Sequence, residues 1–283
     1  MKKLRDEGKL KEIALKLRRD IIEMIYRAGS GHPGGSLSAV EIISALYLGE
    51  MNYDAEHIKD PDRDRFILSK GHGCSALYAV LAHIGVIPRK ELWDFRKLGS
   101  PLQGHPSSVK MPEVEIGTGS LGQGLSIGIG MALAARIDKR SYRVYALLGD
   151  GECQEGETWE AAMTAGHHKI DNLCAIVDYN HVQQTHPIAE TKDLEPLADK
   201  WRAFNWHAVE IDGNSYPEIF AGLDEARATK GKPTVLIGDT QKGKGVSFME
   251  GDPGFHGKAP DDEQYVRAMT ELGVDVSGGK KYE

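Results

Sequence analysis

An α/β fold, a parallel sheet with helices on both faces, is what this chain predicts. Short segments at 66–68, 144–148, 173–177, 208–211 and 234–237 are apolar but for Glu210 and Thr234, as strands buried on both faces largely must be. The stretches between them, notably 155–168 and 216–230, read as helices. Polar segments follow the first three strand candidates, glycine-rich after the first two, where open sheets bind ligands.

Taken in order, Leu10, Ile13, Ala14, Leu17, Ile21, Met24 and Ile25 form the apolar stripe of an amphipathic opening helix. Gly29-Ser30-Gly31 ends it. Ser38 with Glu41 three residues on reads as a capping box for a helix running to Leu46. The strand candidate at 66–68 ends in Ser69-Lys70-Gly71-His72-Gly73 and leads into a helix over 75–84. A glycine-rich stretch, 117–124, precedes an apolar helix over 125–135, which so many glycines suit to close packing. Helices over 155–168 and 216–230 then separate the last strands, and 277–283 is a polar tail expected to fray. Residues 1–276 read as one domain.

The bulk numbers exclude several classes. A net charge of −7 with 27% charged residues argues against a nucleic-acid surface. The basic residues near the start, Lys2, Lys3, Arg5, Lys9, Lys11, Lys16, Arg18 and Arg19, alternate with Asp6, Glu7, Glu12 and Asp20, which is the pattern of a solvated helix face. Three cysteines without CxxC spacing make no disulfide framework, so a reducing cytoplasm is the default. Residues 1–19 hold no apolar signal region, and no segment has the length of a membrane span.

Chemistry concentrates at the strand ends. Leu147-Leu148-Gly149-Asp150-Gly151-Glu152 closes one strand and Val177-Asp178-Tyr179-Asn180 the next. An acid and an amide placed together suit a hard cation, and Mg²⁺ commonly binds one or two such groups plus phosphate oxygens. Glycines beside the acid permit close approach of a diphosphate. Taken singly, Asp150 and Asn180 would be turn residues; their joint position favours metal and diphosphate. His32, His72, His105 and His256 each sit in a glycine- or proline-rich loop. Their spacing matches no zinc pattern. Hydrogen bonding to substrate hydroxyls, or proton transfer near neutral pH, suits them better.

Six ordered motifs resemble the transketolase family: Ser30-Gly31-His32-Pro33-Gly34, Leu68-Ser69-Lys70-Gly71-His72, Gly104-His105-Pro106, Thr118-Gly119-Ser120-Leu121-Gly122-Gln123-Gly124, Gly149-Asp150-Gly151-Glu152-Cys153-Gln154-Glu155-Gly156, and Lys242-Gly243-Lys244-Gly245 followed by His256-Gly257-Lys258. The resemblance spans nearly the whole chain. It implies a thiamine diphosphate-binding fold and transfer of a two-carbon ketol unit from a ketose phosphate to an aldose phosphate, with the cofactor as electron sink. It further implies that Asp150, Asn180 and the carbonyl of Val182 hold Mg²⁺, with Ca²⁺ or Mn²⁺ as stand-ins. Gly151 would face the diphosphate, Gly119 and Leu121 would lie along the cofactor, and Lys242 would approach the diphosphate. His72 and His256 would sit by the diphosphate and the reaction centre, and His32 and His105 would meet sugar hydroxyls. Glu155 would join a carboxylate link between paired sites; its alternative is an acid favoured by a helix dipole.

Two positions depart from the family pattern: His181 follows Asn180 where a second asparagine is frequent, and Gly35 replaces a serine found in some relatives. Family chains also continue into a pyrimidine-binding domain and a C-terminal domain, which carry the glutamate for the aminopyrimidine. No second α/β unit is legible here. The expectation is therefore the diphosphate-binding (N-terminal) subunit of a split transketolase, completed by a C-terminal subunit in an α2β2 heterotetramer; a truncated long chain is the alternative. Competing readings are the α subunit of another split thiamine enzyme, either a transketolase for an unusual sugar or a 2-oxo acid dehydrogenase, and a non-catalytic cofactor-binding subunit.

Overall fold

The computed structural model describes residues 3–184, 186–280 and 282. In chain order the regular elements are α1 (Glu7–Ala28), α2 (Pro33–Leu37), α3 (Val40–Ala45), β1 (Arg65–Leu68), α4 (Cys74–His83), α5 (Gln123–Ile137), β2 (Val144–Gly149), α6 (Gly156–His167) and β3 (Leu173–Tyr179). There follow β4 (Val182–Gln183), β5 (His186–Pro187), α7 (Ile188–Thr191), α8 (Leu197–Ala203), β6 (His207–Asp212), α9 (Tyr216–Ala228), β7 (Thr234–Asp239) and α10 (Asp262–Glu271). A five-stranded parallel sheet in the order β1-β2-β3-β7-β6 forms the centre.

Period-two alternation divides each strand between two cores. Tyr145, Leu147, Cys174, Ile176 and Leu236 face a layer built with α1, α3, α4 and α9. Val144, Ala146, Leu148, Ala175, Val177 and Val235 face α5, α6 and α8. Both faces are covered, so the central strands carry no polar alternation, and this is why they are legible as continuous apolar runs.

All five sheet strands stand where the apolar segments predict them, each one or two residues longer. Gly29 closes α1 in the left-handed conformation, φ 60°. The close packing expected of α5 is present: a Cβ on Gly124 would lie 2.3 Å from Ser69 Oγ.

The capping box at Ser38 and Glu41 is not formed. The chain is already helical at Pro33, and Ser38 Oγ donates to Asp178 Oδ2 at 2.6 Å. Glu41 instead takes the Arg18 guanidinium at 2.8 Å. Tertiary partners have claimed both side chains. The tail is also less loose than expected. Ser277–Gly279 make a 3₁₀ turn, and Tyr282 lies against Trp93 and beneath the Arg89 guanidinium. Lys281 and Glu283 lie outside the described residues. Among the described residues no helix is long and apolar enough to cross a membrane.

Candidate active site

The carboxyl ends of β1, β2 and β3 open onto a crevice of about 320 Å³. Every site residue singled out in the sequence lines it: His32, His72, His105, Gly119, Leu121, Asp150, Gly151, Glu155, Asn180, Val182, Lys242 and His256. A larger groove of about 630 Å³ lies over β6 and β7, walled by Glu195, Glu210, Asp212, Glu218 and Asp239. Five carboxylates would repel a diphosphate, so electrostatics favour the smaller crevice as the candidate site for such a ligand.

Asp150 follows β2 directly and is buried. Its Oδ1 accepts the Gly151 N–H at 2.7 Å and its Oδ2 the His181 N–H at 2.6 Å. Burial and the nearby Asp178 carboxylate push Asp150 up to about 6. Asn180 donates through Nδ2 to Asp178 Oδ2 at 3.4 Å, and its Oδ1 accepts the Val182 N–H at 3.3 Å. Val182 carbonyl accepts the Lys242 ammonium at 2.6 Å. His181 meets the turn after Asn180 with φ 65° and turns its ring outward to Asp239 Oδ1, 2.8 Å away.

The fit to a cation can be judged from the donors. The Asp150 carboxylate, Asn180 Oδ1 and Val182 carbonyl are all oxygens, and Gln183 Oε1 in the same crevice is buried with no hydrogen-bond partner among the described residues. Such a set suits Mg²⁺ rather than a soft metal. No group of three His, Cys, Asp or Glu is arranged for a metal among the described residues, in keeping with a set that holds one carboxylate. Two buried ammonium groups, Lys70 and Lys242, line the crevice as well and suit an anionic ligand. Burial lowers Lys242 to about 8.

The four histidines converge. Ring centroids of His32 lie 5.2 Å from His72, 5.4 Å from His256 and 6.1 Å from His105, and His72 and His256 are 5.1 Å apart. Glycine makes room for one of them: Gly119 has φ 139°, and a Cβ there would stand 2.8 Å from the His105 ring. Burial keeps the imidazoles neutral. It brings His32 to about 4, helped by Arg96, and His256 to about 3, helped by Lys242. His72 and His105 are lowered by the same cause. Neutral rings can each donate one hydrogen bond and accept another.

Glu155 stands exposed at the rim as the N-cap residue of α6, without capping it through its side chain, and Glu157 is the acid of the first turn. Gly35 lies against His72: a Cβ there would be 3.3 Å from Nε2.

Sequence reading assigned no role to several residues that organise this site. Asp178, fully buried at the end of β3, accepts from the Lys70 ammonium, Ser38 Oγ, Thr240 Oγ1 and Asn180 Nδ2. Although burial works against its charge, Lys70 and the two hydroxyls hold its carboxyl below the usual range. Glu152 joins three loops: its carboxylate accepts from Ser69 Oγ, the Gly122 N–H at 2.9 Å and the Gly149 N–H at 3.0 Å. An isolated acid within an apolar strand was the available signal for Asp178. For Arg96, which reaches His32, there was none.

The family profile described as "Transketolase, thiamine diphosphate binding domain" matches residues 10–279. The chain belongs to the transketolase family, as its thiamine diphosphate binding domain. Among curated relatives, it is 42% identical over 91% of its length to one of the subunits of an apulose-4-phosphate transketolase from Phocaeicola vulgatus, covering 91% of that protein. It is 43% identical over 90% of its length to the "6-deoxy-6-sulfo-D-fructose transketolase subunit SqwG" of Clostridium sp., covering 93% of it. Against the transketolase of Homo sapiens it is 40% identical but spans 43% of that chain. A solved transketolase from Pichia stipitis superposes with a TM-score of 0.90 at 30% identity over 98% of this chain, which spans 42% of that one.

Proposed function

We propose that this chain is the diphosphate-binding half of a thiamine diphosphate- and Mg²⁺-dependent transketolase and works with a second subunit. The observation that carries this is one crevice at the carboxyl edge of the sheet uniting three oxygen donors, two buried ammonium groups and four neutral imidazoles. Asp150, Asn180 and Val182 would hold the cation, with Lys242 and Lys70 balancing the diphosphate charge. Gly119 and Leu121 would lie along the cofactor, and Gly151 beneath the diphosphate. When bound, thiamine diphosphate supplies the nucleophilic carbon and the electron sink for ketol transfer.

The chain's own residues bind and orient. The imidazoles of His32 and His105 are placed to donate to substrate oxygens. His72 and His256, closer to Lys70 and Lys242, are placed to hold or move a proton at the reacting centre. Glu155 at the exposed rim suits contact with a neighbouring subunit. Polyhydroxylated sugar phosphates fit this row of donors better than a small 2-oxo acid does.

Support for a partner comes from the near full-length match to relatives that are themselves named as single subunits of transketolases. The completing subunit would carry the pyrimidine-binding and C-terminal domains, in an α2β2 arrangement. Because two of these relatives are named for apulose 4-phosphate and 6-deoxy-6-sulfo-D-fructose, an uncommon ketose is the favoured donor class. Buried, unpaired Cys74, Cys153 and Cys174 suit a reducing cytoplasm.

Calorimetry with thiamine diphosphate tests the assignment. Binding should require Mg²⁺, and Asp150→Ala should weaken it at least about tenfold, in line with losses at metal-supporting groups. Unchanged Mg²⁺-dependent affinity in Asp150→Ala removes Asp150 from the cation site.

A further inference from the structure

Arg96 lies in the loop between Phe95 and Gln103 and holds an unusual conformation. Its backbone is left-handed, φ 61°, a region that non-glycine residues occupy at a cost. The Arg96 N–H donates to the Leu102 carbonyl at 2.9 Å, and its guanidinium leans on the Phe95 ring. From there the guanidinium makes three hydrogen bonds. Nη1 donates to Ser30 Oγ at 2.9 Å; Nη2 donates to the Gly104 carbonyl at 3.3 Å and to His32 Nδ1 at 3.4 Å. Glycine at 104 is what admits it, since a Cβ there would stand 2.7 Å from Arg96 Cζ. The loop thus spends backbone strain to set a cation between two of the crevice histidines.

A guanidinium has only donors and stays protonated in proteins. His32 Nδ1 must therefore accept, and the single proton of the neutral ring is left on Nε2. Nε2 lies on the far side of the ring, 3.6 Å from where a Cβ on Gly257 would be, and the rings of His72 and His256 are its neighbours. Among the described residues, the charged or titratable groups acting on His32 are Arg96, His105, Lys242 and those two imidazoles, with no carboxylate. Nothing there stabilises an imidazolium, and burial disfavours one.

We propose that Arg96 is a positioning residue that fixes His32 as the Nε2–H tautomer, so that the crevice offers a hydrogen-bond donor to an acceptor oxygen of the substrate. The identity of that substrate as a sugar phosphate rests on the function proposed above; the tautomer does not. Arg96 reaches the reaction only through His32, and its contact with the Gly104 carbonyl ties the loop bearing His105 to the same cation.

The test is ¹⁵N NMR of the full chain carrying ¹⁵N-labelled histidine, in which nitrogen shifts distinguish the two tautomers. Eleven histidines are present, and the His32 signals are assigned by their loss in His32→Asn. In the wild-type chain at pH 7, His32 should be protonated on Nε2 and should resist titration to below pH 5. In Arg96→Met the two tautomers should mix and the midpoint should rise by at least one unit, while Arg96→Lys, which keeps a cation, should hold the midpoint low. An Nδ1–H tautomer in the wild-type chain overturns the proposal, whatever becomes of the variants. So does a folded Arg96→Met chain whose His32 tautomer and midpoint are unchanged. With a completing subunit, Arg96→Met should raise KM for the ketose at least tenfold at unchanged thiamine diphosphate affinity. If the NMR result holds and no ketol transfer is found with any ketose, the functional reading fails and the tautomer assignment stands.

Discussion

Asp178 carries no exposed surface yet accepts from four polar groups, and what it does to Asn180 follows from hydrogen-bond direction. By taking the Asn180 amide through Nδ2, it fixes the flip of the amide and leaves Oδ1, the side chain's one oxygen, on the side of Val182. Outer groups of this kind commonly govern metal affinity by ten- to a hundredfold. Asp178→Asn should therefore raise the Mg²⁺ concentration needed for half-maximal thiamine diphosphate binding by at least about tenfold; an unchanged Mg²⁺ dependence would show that Asn180 needs no such support. The histidines make a second prediction. His32 and His256 sit near 4 and 3 in the folded chain against 6.5 when unfolded. Below pH 6.5 the unfolded chain binds protons that the folded chain refuses, so stability falls as pH drops from 6.5 towards 4. Asp150, raised to about 6, works in the opposite direction between pH 3.8 and 6, and Asp64 and Glu152, also raised by burial, work with it, but five lowered imidazoles, His83 and the four of the crevice, outnumber them. The melting temperature should fall over this window, and His32→Asn should flatten the slope. At this scale the sequence showed which side chains carry chemistry but not what holds them. Lys70 and Asp178 are 108 residues apart, and Arg96 meets His32 only because a loop folds back through a strained residue.

Elements were more legible, for a physical reason. Strands buried on both faces need apolar residues at every position, so β2 and β3 are visible without alternation. The second helical segment misled because Ser38 and Glu41 satisfy a local capping rule while their hydroxyl and carboxylate are taken by Asp178 and Arg18. Short α8 gave too few turns for a periodic signal. The glycines before α5 were legible as a cluster, and the fold explains Gly124: α5 enters against Ser69, whose hydroxyl is held by Glu152. Neither group can retreat without unmaking the junction of three loops. Gly124→Ala should cost about 1–3 kcal/mol by overpacking, read as a lowered urea midpoint at unchanged slope. No loss of stability would mean that this junction is looser than its geometry.

For the molecule as a whole, the sheet gathers the proposed cofactor site at one edge. Strand order places the ends of β1, β2 and β3 side by side, so three loops remote in sequence meet over one crevice with the Lys242 and His256 segment closing it. The family relationship names the cofactor domain, and the relatives of matching length are named as transketolase subunits. The central claim is that this crevice supplies the diphosphate end and a partner supplies the rest. Its most direct test is ketol transfer with thiamine diphosphate and Mg²⁺ by the purified chain, alone and with a separately purified subunit bearing the pyrimidine-binding domain. The purified chain alone should show no turnover, and turnover should appear at a one-to-one subunit ratio; full activity from this chain by itself would overturn the need for a partner.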